Sequence, residues 1–192
     1  MKIKSIILGL AAAWSVGVSV SANATVFTST DVPVAILDVN TVASTLNVGS
    51  HIFITDVNVL INSITHTFDN DLDIFLISPF GTQVELSTDN GGGNDNFTNT
   101  VFDDAAATSI TAGAAPFTGS FRPEGLLSAF NGQDAFGTWT LRVTDDAGLD
   151  VGSLNSWGLD IEGRTTVPEP SSLAILGIGL AGLATMRRKQ RA

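Results

Sequence analysis

The sequence predicts an all-β domain, an antiparallel β-sandwich or jelly roll, across the middle of a 192-residue chain. Short runs of alternating apolar and polar residues recur there, separated by Gly-, Pro- and Asn-rich turns. Between the two chain ends no stretch is patterned for a helix long enough to cover a sheet. Sheet-on-sheet packing is then what can close a core.

Val34-Ala35-Ile36-Leu37 is the first strand expected, after Pro33. Phe53, Val57, Val59 and Ile61 share a parity opposite Asp56, Asn58 and Asn62, a half-buried strand. From Phe68 to Leu76 the apolar set is Phe68, Leu72, Ile74 and Leu76, with Asp69, Asp71 and Asp73 on the other parity. Ser78-Pro79-Phe80-Gly81-Thr82 has Pro and Gly where a type I turn prefers them, so Leu72–Ile77 and Gln83–Ser87 should form a hairpin. Thr88 to Asn96 consists of turn formers and must be a surface loop. Phe97 to Phe102 reads as a short strand, and Ala105 to Pro123 as an irregular segment with one short edge strand. Leu126, Leu127 and Phe130 suggest one helical turn. Trp139, Leu141 and Val143 alternate with Thr and Arg, and Trp157, Leu159 and Ile161 alternate with Ser, Gly and Asp. Two strands that begin with Trp bring two large rings into one core.

The first 24 residues have the form of a signal peptide: Lys2 and Lys4, an apolar run from Ile6 to Val20, and Ala22-Asn23-Ala24 as a small-residue cleavage site. Residues 25–164 form the sandwich, and 165–170, with two prolines, a short extended linker. Ser171 to Met186 is an apolar helix candidate followed by Arg187, Arg188, Lys189 and Arg191. Sixteen helical residues reach roughly 24 Å, short of a bilayer core of about 30 Å, so crossing requires snorkelling or thinning. Positive charge after the segment would leave the C-terminus cytoplasmic and the sandwich outside.

From Thr25 to Thr166 there are eighteen Asp and Glu against Arg122, Arg142 and Arg164, a net charge of about −15. Nucleic acid and anionic surfaces are poor partners at that sign, and cations are good ones. The chain has no cysteine, so no disulfide ties the exported domain together. In an extended strand adjacent same-face Asp side chains lie roughly 7 Å apart. Their repulsion is about 0.6 kcal/mol in water and about 2.4 kcal/mol at an effective dielectric of 20. A partly buried face would need a counter-charge, and Ca²⁺ is the natural one; a solvated turn at Asp69-Asn70-Asp71 is the alternative. The carboxylates available are Asp69, Asp71 and Asp73, then Asp95 in the Gly/Asn loop, then Asp103 and Asp104. Zinc and copper are poor fits without cysteine or clustered histidine. Asp145, Asp146 and Asp150 form a second acidic turn, read first as structural, with a second metal site as the alternative. Gly91-Gly92-Gly93 is followed by no Lys and opens no helix, so it is not a phosphate loop.

Two resemblances are carried by longer blocks. I-T-H-T-F-D-N-D-L-D-I-F-L-I-S-P-F-G-T, G-G-G-N-D-N-F-T-N-T-V-F-D-D-A, A-P-F-T-G-S-F-R-P-E-G-L-L-S-A-F-N-G and G-T-W-T-L-R-V-T-D with D-V-G-S-L-N-S-W-G-L follow in order. From about Val57 to Ile161 the chain thus resembles the P domain (Homo B) of subtilisin-like proprotein convertases. The resemblance implies a jelly-roll sandwich that packs beside a serine protease, stabilises it and affects its calcium and pH dependence. It singles out Asp71 of D-L and Asp103-Asp104 of F-D-D as metal ligands, ahead of Asp73 and Asp95. The tail, V-P-E-P, an apolar run and R-R-K-Q-R, resembles the PEP-CTERM sorting signal. That implies a Gram-negative bacterium, an exosortase-type transpeptidase as partner, and an inner-membrane-anchored precursor delivered to the cell surface or exopolysaccharide matrix.

Catalysis is not expected. Proteolysis needs a nucleophile, a base and an orienting acid together, whereas His51 and His66 are the only histidines and no G-x-S-x-G or subtilisin-type Ser block occurs. The expected function is a non-catalytic, calcium-stabilised interaction or adhesion module for a surface polysaccharide or protein. The alternative is an accessory domain of a separately encoded subtilisin-like protease.

Overall fold

In the computed structural model the described residues are 23–165, with Leu176 and Leu180. Ten strands among them form two sheets: β1 (Asn23–Thr28), β2 (Val34–Ile36), β3 (Asn40–Val48), β4 (Ile52–His66), β5 (Leu72–Ile77), β6 (Gln83–Thr88), β7 (Phe97–Phe102), β8 (Phe117–Phe121), β9 (Gly137–Asp145) and β10 (Gly152–Thr165). One sheet has the order β1-β10-β4-β7-β8, with β2 sharing the β1 edge of β10; the other has the order β3-β9-β5-β6. The architecture is therefore a β-sandwich. One ladder departs from the antiparallel expectation: β8 runs parallel to β7.

Most of the expected strands form, and their apolar parity faces the core. Ile74, Leu76, Leu141, Val143, Leu159 and Ile161 are all fully buried. β9 and β10 belong to different sheets, so Trp139 and Trp157 enter the core from opposite sides. Each ring finds a partner for its N–H: Trp139 Nε1 donates to Ala135 O at 2.9 Å and Trp157 Nε1 to Ser44 Oγ at 2.7 Å. Ser44 passes the chain on by donating to Asp31. Burial would push the Asp31 carboxyl up, but bonds from Ser44, Ser29 and Thr45 outweigh it and hold that group well below the usual carboxylate range.

Two parity readings are corrected. Phe53 is not in the core; it is 44% exposed. The β4–β10 register shifts between Glu162 and Gly163 and again between Ser156 and Trp157, and each bulge flips the side-chain phase. Buried residues accordingly run Ile52 and Ile54, then Val57, Val59 and Ile61, then Ile64 and His66. Phe68 to Leu76 is likewise not one strand. Asp69–Asp71 forms a 3-10 turn, β5 starts at Leu72, and Phe68 is partly exposed.

The β5–β6 turn closes with Gly81 N donating to Ser78 O at 2.9 Å, and Gly81 takes φ +80, a region costly for other residues. At Gly152, where β10 starts against the end of β4, an added Cβ would lie 2.1 Å from Thr65 O. Side chains are excluded there.

The leader and tail fall outside the described residues, apart from Asn23 and Ala24, which open β1, and Leu176 and Leu180, which are helical. Among the described residues no helix is long and apolar enough to cross a membrane.

Candidate metal centre at one end of the sandwich

The register places one end of both sheets together. β4 ends at His66, β5 begins at Leu72, β6 ends at Thr88, β9 ends at Asp145 and β10 begins at Gly152. The loops leaving these strands carry most of the acids singled out above.

Asp73 stands between Thr144 of β9 and Thr88 of β6. The residues following those partners, Asp89 and two positions on, Asp146, close around it. One carboxylate oxygen from each of Asp73, Asp89 and Asp146 lies within 4.8 Å of the others. Asp73 is half-buried, its Oδ1 is enclosed without a hydrogen-bond partner, and Asp89 and Asp146 are exposed. Burial raises the Asp73 carboxyl, and the neighbouring Asp146 and Asp89 raise it further. Asp89 sits at φ +53, a left-handed conformation Asp tolerates better than most residues. A cleft of about 420 Å³ lined by Val39, Asn40, Thr41, Thr144, Asp145 and Asp146 opens beside this cluster. Hard oxygen donors in close array fit a calcium-type cation, with loop carbonyls and water completing the shell.

Asp69 is different in kind. It is buried, and neither oxygen has a partner of proper geometry. The loop after β6 packs over it: Asp69 N donates to Asn94 O at 3.1 Å and Asn70 N to Gly92 O at 3.3 Å. Burial pushes its carboxyl up to about 7, with the Asn96 N–H and His66 opposing the rise and Asp95 adding to it. The folded value lies above the unfolded one of about 4, so the stability linked to this proton is lost as pH rises through about 7. In chelator, Asp69→Asn is expected to stabilise the protein at pH 8 by about 2 kcal/mol or more and to change little at pH 3, where the carboxyl is neutral in the folded and the unfolded protein alike. Melting curves at the two pH values check this, and equal shifts at both would refute it.

Asp71 is also buried, and its carboxyl is raised by burial first, then by Asp145 and Asp150. Its backbone O accepts from Asp146 N at 3.0 Å, which pins the acidic turn against β5. Asp95 is exposed on the loop. Asp103 and Asp104 are not brought to this end, so the grouping expected from sequence is corrected. They follow β7, and both influence Asp56 in the middle of β4. Asp103 Oδ1 accepts from Ala105 N at 2.7 Å. Asp104 accepts from Leu127 N at 2.9 Å and Ser128 N at 2.8 Å, capping the 3-10 turn Leu127–Phe130. Asp89, which the sequence does not single out, and Asp146, from the second acidic turn, stand in their place beside Asp73.

Both histidines are engaged elsewhere. His66 Nε2 lies 3.1 Å from Asp145 Oδ2 with both side chains fully buried. His51 Nδ1 lies 2.6 Å from Asp134 Oδ2 on the surface. Among the described residues neither ring bonds a serine hydroxyl.

The chain belongs to the proprotein convertase P-domain family, whose model matches residues 54–161. The P domain is a non-catalytic accessory domain of serine proteases. The PEP-CTERM protein-sorting motif matches residues 166–189, which implies exosortase processing and marks an exported, surface-targeted protein. Over 95 residues the chain is 32% identical to leupeptin-inactivating enzyme 1 of Streptomyces exfoliatus, covering 50% of this chain and 16% of that protein. Among solved structures it is similar to the serine protease of Aeromonas sobria, at 23% identity and a TM-score of 0.48, covering 74% of this chain and 26% of that one. It is also similar to that protease in complex with the chaperone ORF2, at 24% and 0.48, covering 75% and 27%. The chain spans about a sixth of the curated relative's length and about a quarter of each solved chain.

Proposed function

We propose that this protein is a calcium-stabilised interaction module of the cell surface or exopolysaccharide matrix, delivered there by its sorting tail. The observation that carries the calcium reading is the convergence of Asp73, Asp89 and Asp146 oxygens within 4.8 Å. Three like charges at that separation favour a bound cation over mutual repulsion. A surface polysaccharide or protein as the partner is supported by the sorting motif and by the acidic charge, which disfavours anionic polymers unless calcium bridges them. The test is to fractionate producing cells and wash the matrix with calcium or with chelator. Retention in calcium and release by chelator are expected; recovery in the cytoplasm alone, or retention indifferent to chelator, overturns the proposal.

Membership of the P-domain family favours a second reading, an accessory domain for a separately encoded subtilisin-like protease. It predicts co-purification with a serine protease whose thermal inactivation slows when the protein is added.

A further inference from the structure

The end of the sandwich remote from the acidic loops has a different surface. β10 runs from Gly152 beside those loops to Thr165 at the far end, about 40 Å away at the rise of a strand. There Thr165 pairs with Ile52 and Arg164 with Phe53. Three phenylalanines are exposed at this end, Phe53 at 44%, Phe80 at 67% and Phe136 at 47%. They come from β4, from the β5–β6 turn and from the segment before β9, so the two sheets both contribute.

They are held in place. Phe53 bridges to Asp134, and Ile54 N donates to Gln133 O at 2.9 Å. The His51 ring stacks on Phe136 with centroids 4.4 Å apart and is also paired with Asp134. Ser78 Oγ donates to Gln133 Oε1 at 2.9 Å, tying the Phe80 turn to the same segment. Gly137 lies so close to Pro79 that an added Cβ would sit 3.0 Å from its ring. Exposed aromatic rings on a fixed frame differ from scattered surface residues; they mark a contact face.

The position of the chain beyond Thr165 selects the occupant. Five residues, 166–170, separate Thr165 from the apolar run Ser171–Met186 and its Arg187, Arg188, Lys189 and Arg191. Six α-carbon steps reach at most about 20 Å. A bilayer entered by that run therefore lies within one short tether of the phenylalanines. Leu176 and Leu180, four residues apart on one helical face, are each 58% exposed. The acids Asp73, Asp89, Asp146 and Asp150 lie at the other end, several Debye lengths away at physiological ionic strength. At the near end the charges include the His51–Asp134 pair and Arg164, with the acids Asp56, Glu162, Asp103 and Asp104 set back about 10 Å along β4 and β10, so the face suits a zwitterionic lipid surface and not an anionic one.

We propose that Phe53, Phe80 and Phe136 form a bilayer-docking face, which seats the tail-anchored sandwich on the lipid headgroups with its acidic end turned outward. The proposal rests on the tail entering a bilayer and is independent of the calcium reading, which melting curves test separately.

The chain has no cysteine, so single sites can be labelled in the full-length protein. Asn131→Cys and Thr138→Cys, exposed beside the phenylalanines, and Leu149→Cys, on the opposite loops, would carry an environment-sensitive fluorophore. Each chain is reconstituted through its tail into phosphatidylcholine vesicles containing a headgroup-level nitroxide lipid. Quenching several-fold stronger at 131 and 138 than at 149 is expected. A Phe80→Ser/Phe136→Ser background should lower it at least twofold without changing the melting curve. Equal quenching at all three sites, quenching indifferent to the two serines, or failure of the chain to associate with vesicles overturns the proposal. Label responses that follow protein concentration instead of nitroxide would assign the face to a second copy and overturn it equally.

Discussion

Replacing His66 with alanine is expected to destabilise the sandwich by about 3 kcal/mol, because it leaves the buried Asp145 carboxylate without its hydrogen-bond partner. His66 ends β4 in one sheet and Asp145 ends β9 in the other, and their side chains meet at 3.1 Å with no exposure to water. Asp145 Oδ1 already has no partner, so removing the imidazole leaves the carboxylate with none among the described residues. The other ring nitrogen matters as well. Nδ1 lies 3.0 Å from Phe68 O and 3.3 Å from Phe68 N. A neutral ring protonated at Nε2 donates to Asp145 and accepts from the Phe68 N–H; a protonated ring donates to Asp145 and to Phe68 O. Either way the ring fixes the segment that leads into the Asp69–Asp71 turn. His66→Gln, which can keep one donor, should recover part of the loss. Chemical denaturation checks both variants, and a loss under 1 kcal/mol for His66→Ala would show that the pair does not hold the two sheets.

What the sequence disclosed and what it hid follow from the range of the interactions. Alternation in β5, β9 and β10 is local, and the chain's own pattern revealed those strands. β3 was not anticipated, because its inward positions include Ser44 beside Leu46 and Val48, and a buried serine breaks the apolar signal. The bulges that turned Phe53 outward depend on the partner strand, and no pattern within β4 encodes them. The candidate site shows the same division. Asp73 was visible as the acid of a strand, but its companions Asp89 and Asp146 are brought in by the order β9-β5-β6, which puts the loops after two different strands on either side of it. The acidic turn containing Asp146 reads first as structural, with a metal site as the alternative, and Asp71 O does pin it. Asp103 and Asp104 failed as partners for Asp71 because β7 lies in the other sheet and their oxygens accept backbone N–H groups.

Calcium at a hundredfold excess over its dissociation constant should stabilise the folded protein by about 2.7 kcal/mol, raising its melting temperature by roughly 5–10 °C for a domain of this size. The electrostatics set the sign. At 4.8 Å the repulsion within one pair of ionised carboxylates is about 0.9 kcal/mol in water and about 3.5 kcal/mol at an effective dielectric of 20. Asp89 and Asp146 are exposed, so their mutual term lies near the lower figure; half-buried Asp73 feels more. The raised carboxyl of Asp73 means that, without metal, stability linked to its proton is present at low pH and lost as pH rises through its folded value. A cation competes with that proton. The calcium response should consequently be larger at pH 8 than at pH 4, where protons compete with the cation for the raised carboxyl of Asp73. Asp146→Asn removes one anionic ligand and one source of repulsion together. It is expected to raise the metal-free melting temperature slightly while weakening the calcium response at least tenfold in concentration. Asp104→Asn, at the cap of Leu127–Phe130, should lower stability equally with and without calcium, because its bonds are to backbone N–H groups. Differential scanning fluorimetry across a calcium titration separates the two variants. Identical responses from them would move the cation away from Asp73, Asp89 and Asp146, and a wild-type curve unmoved by calcium at pH 8 would remove it from the protein.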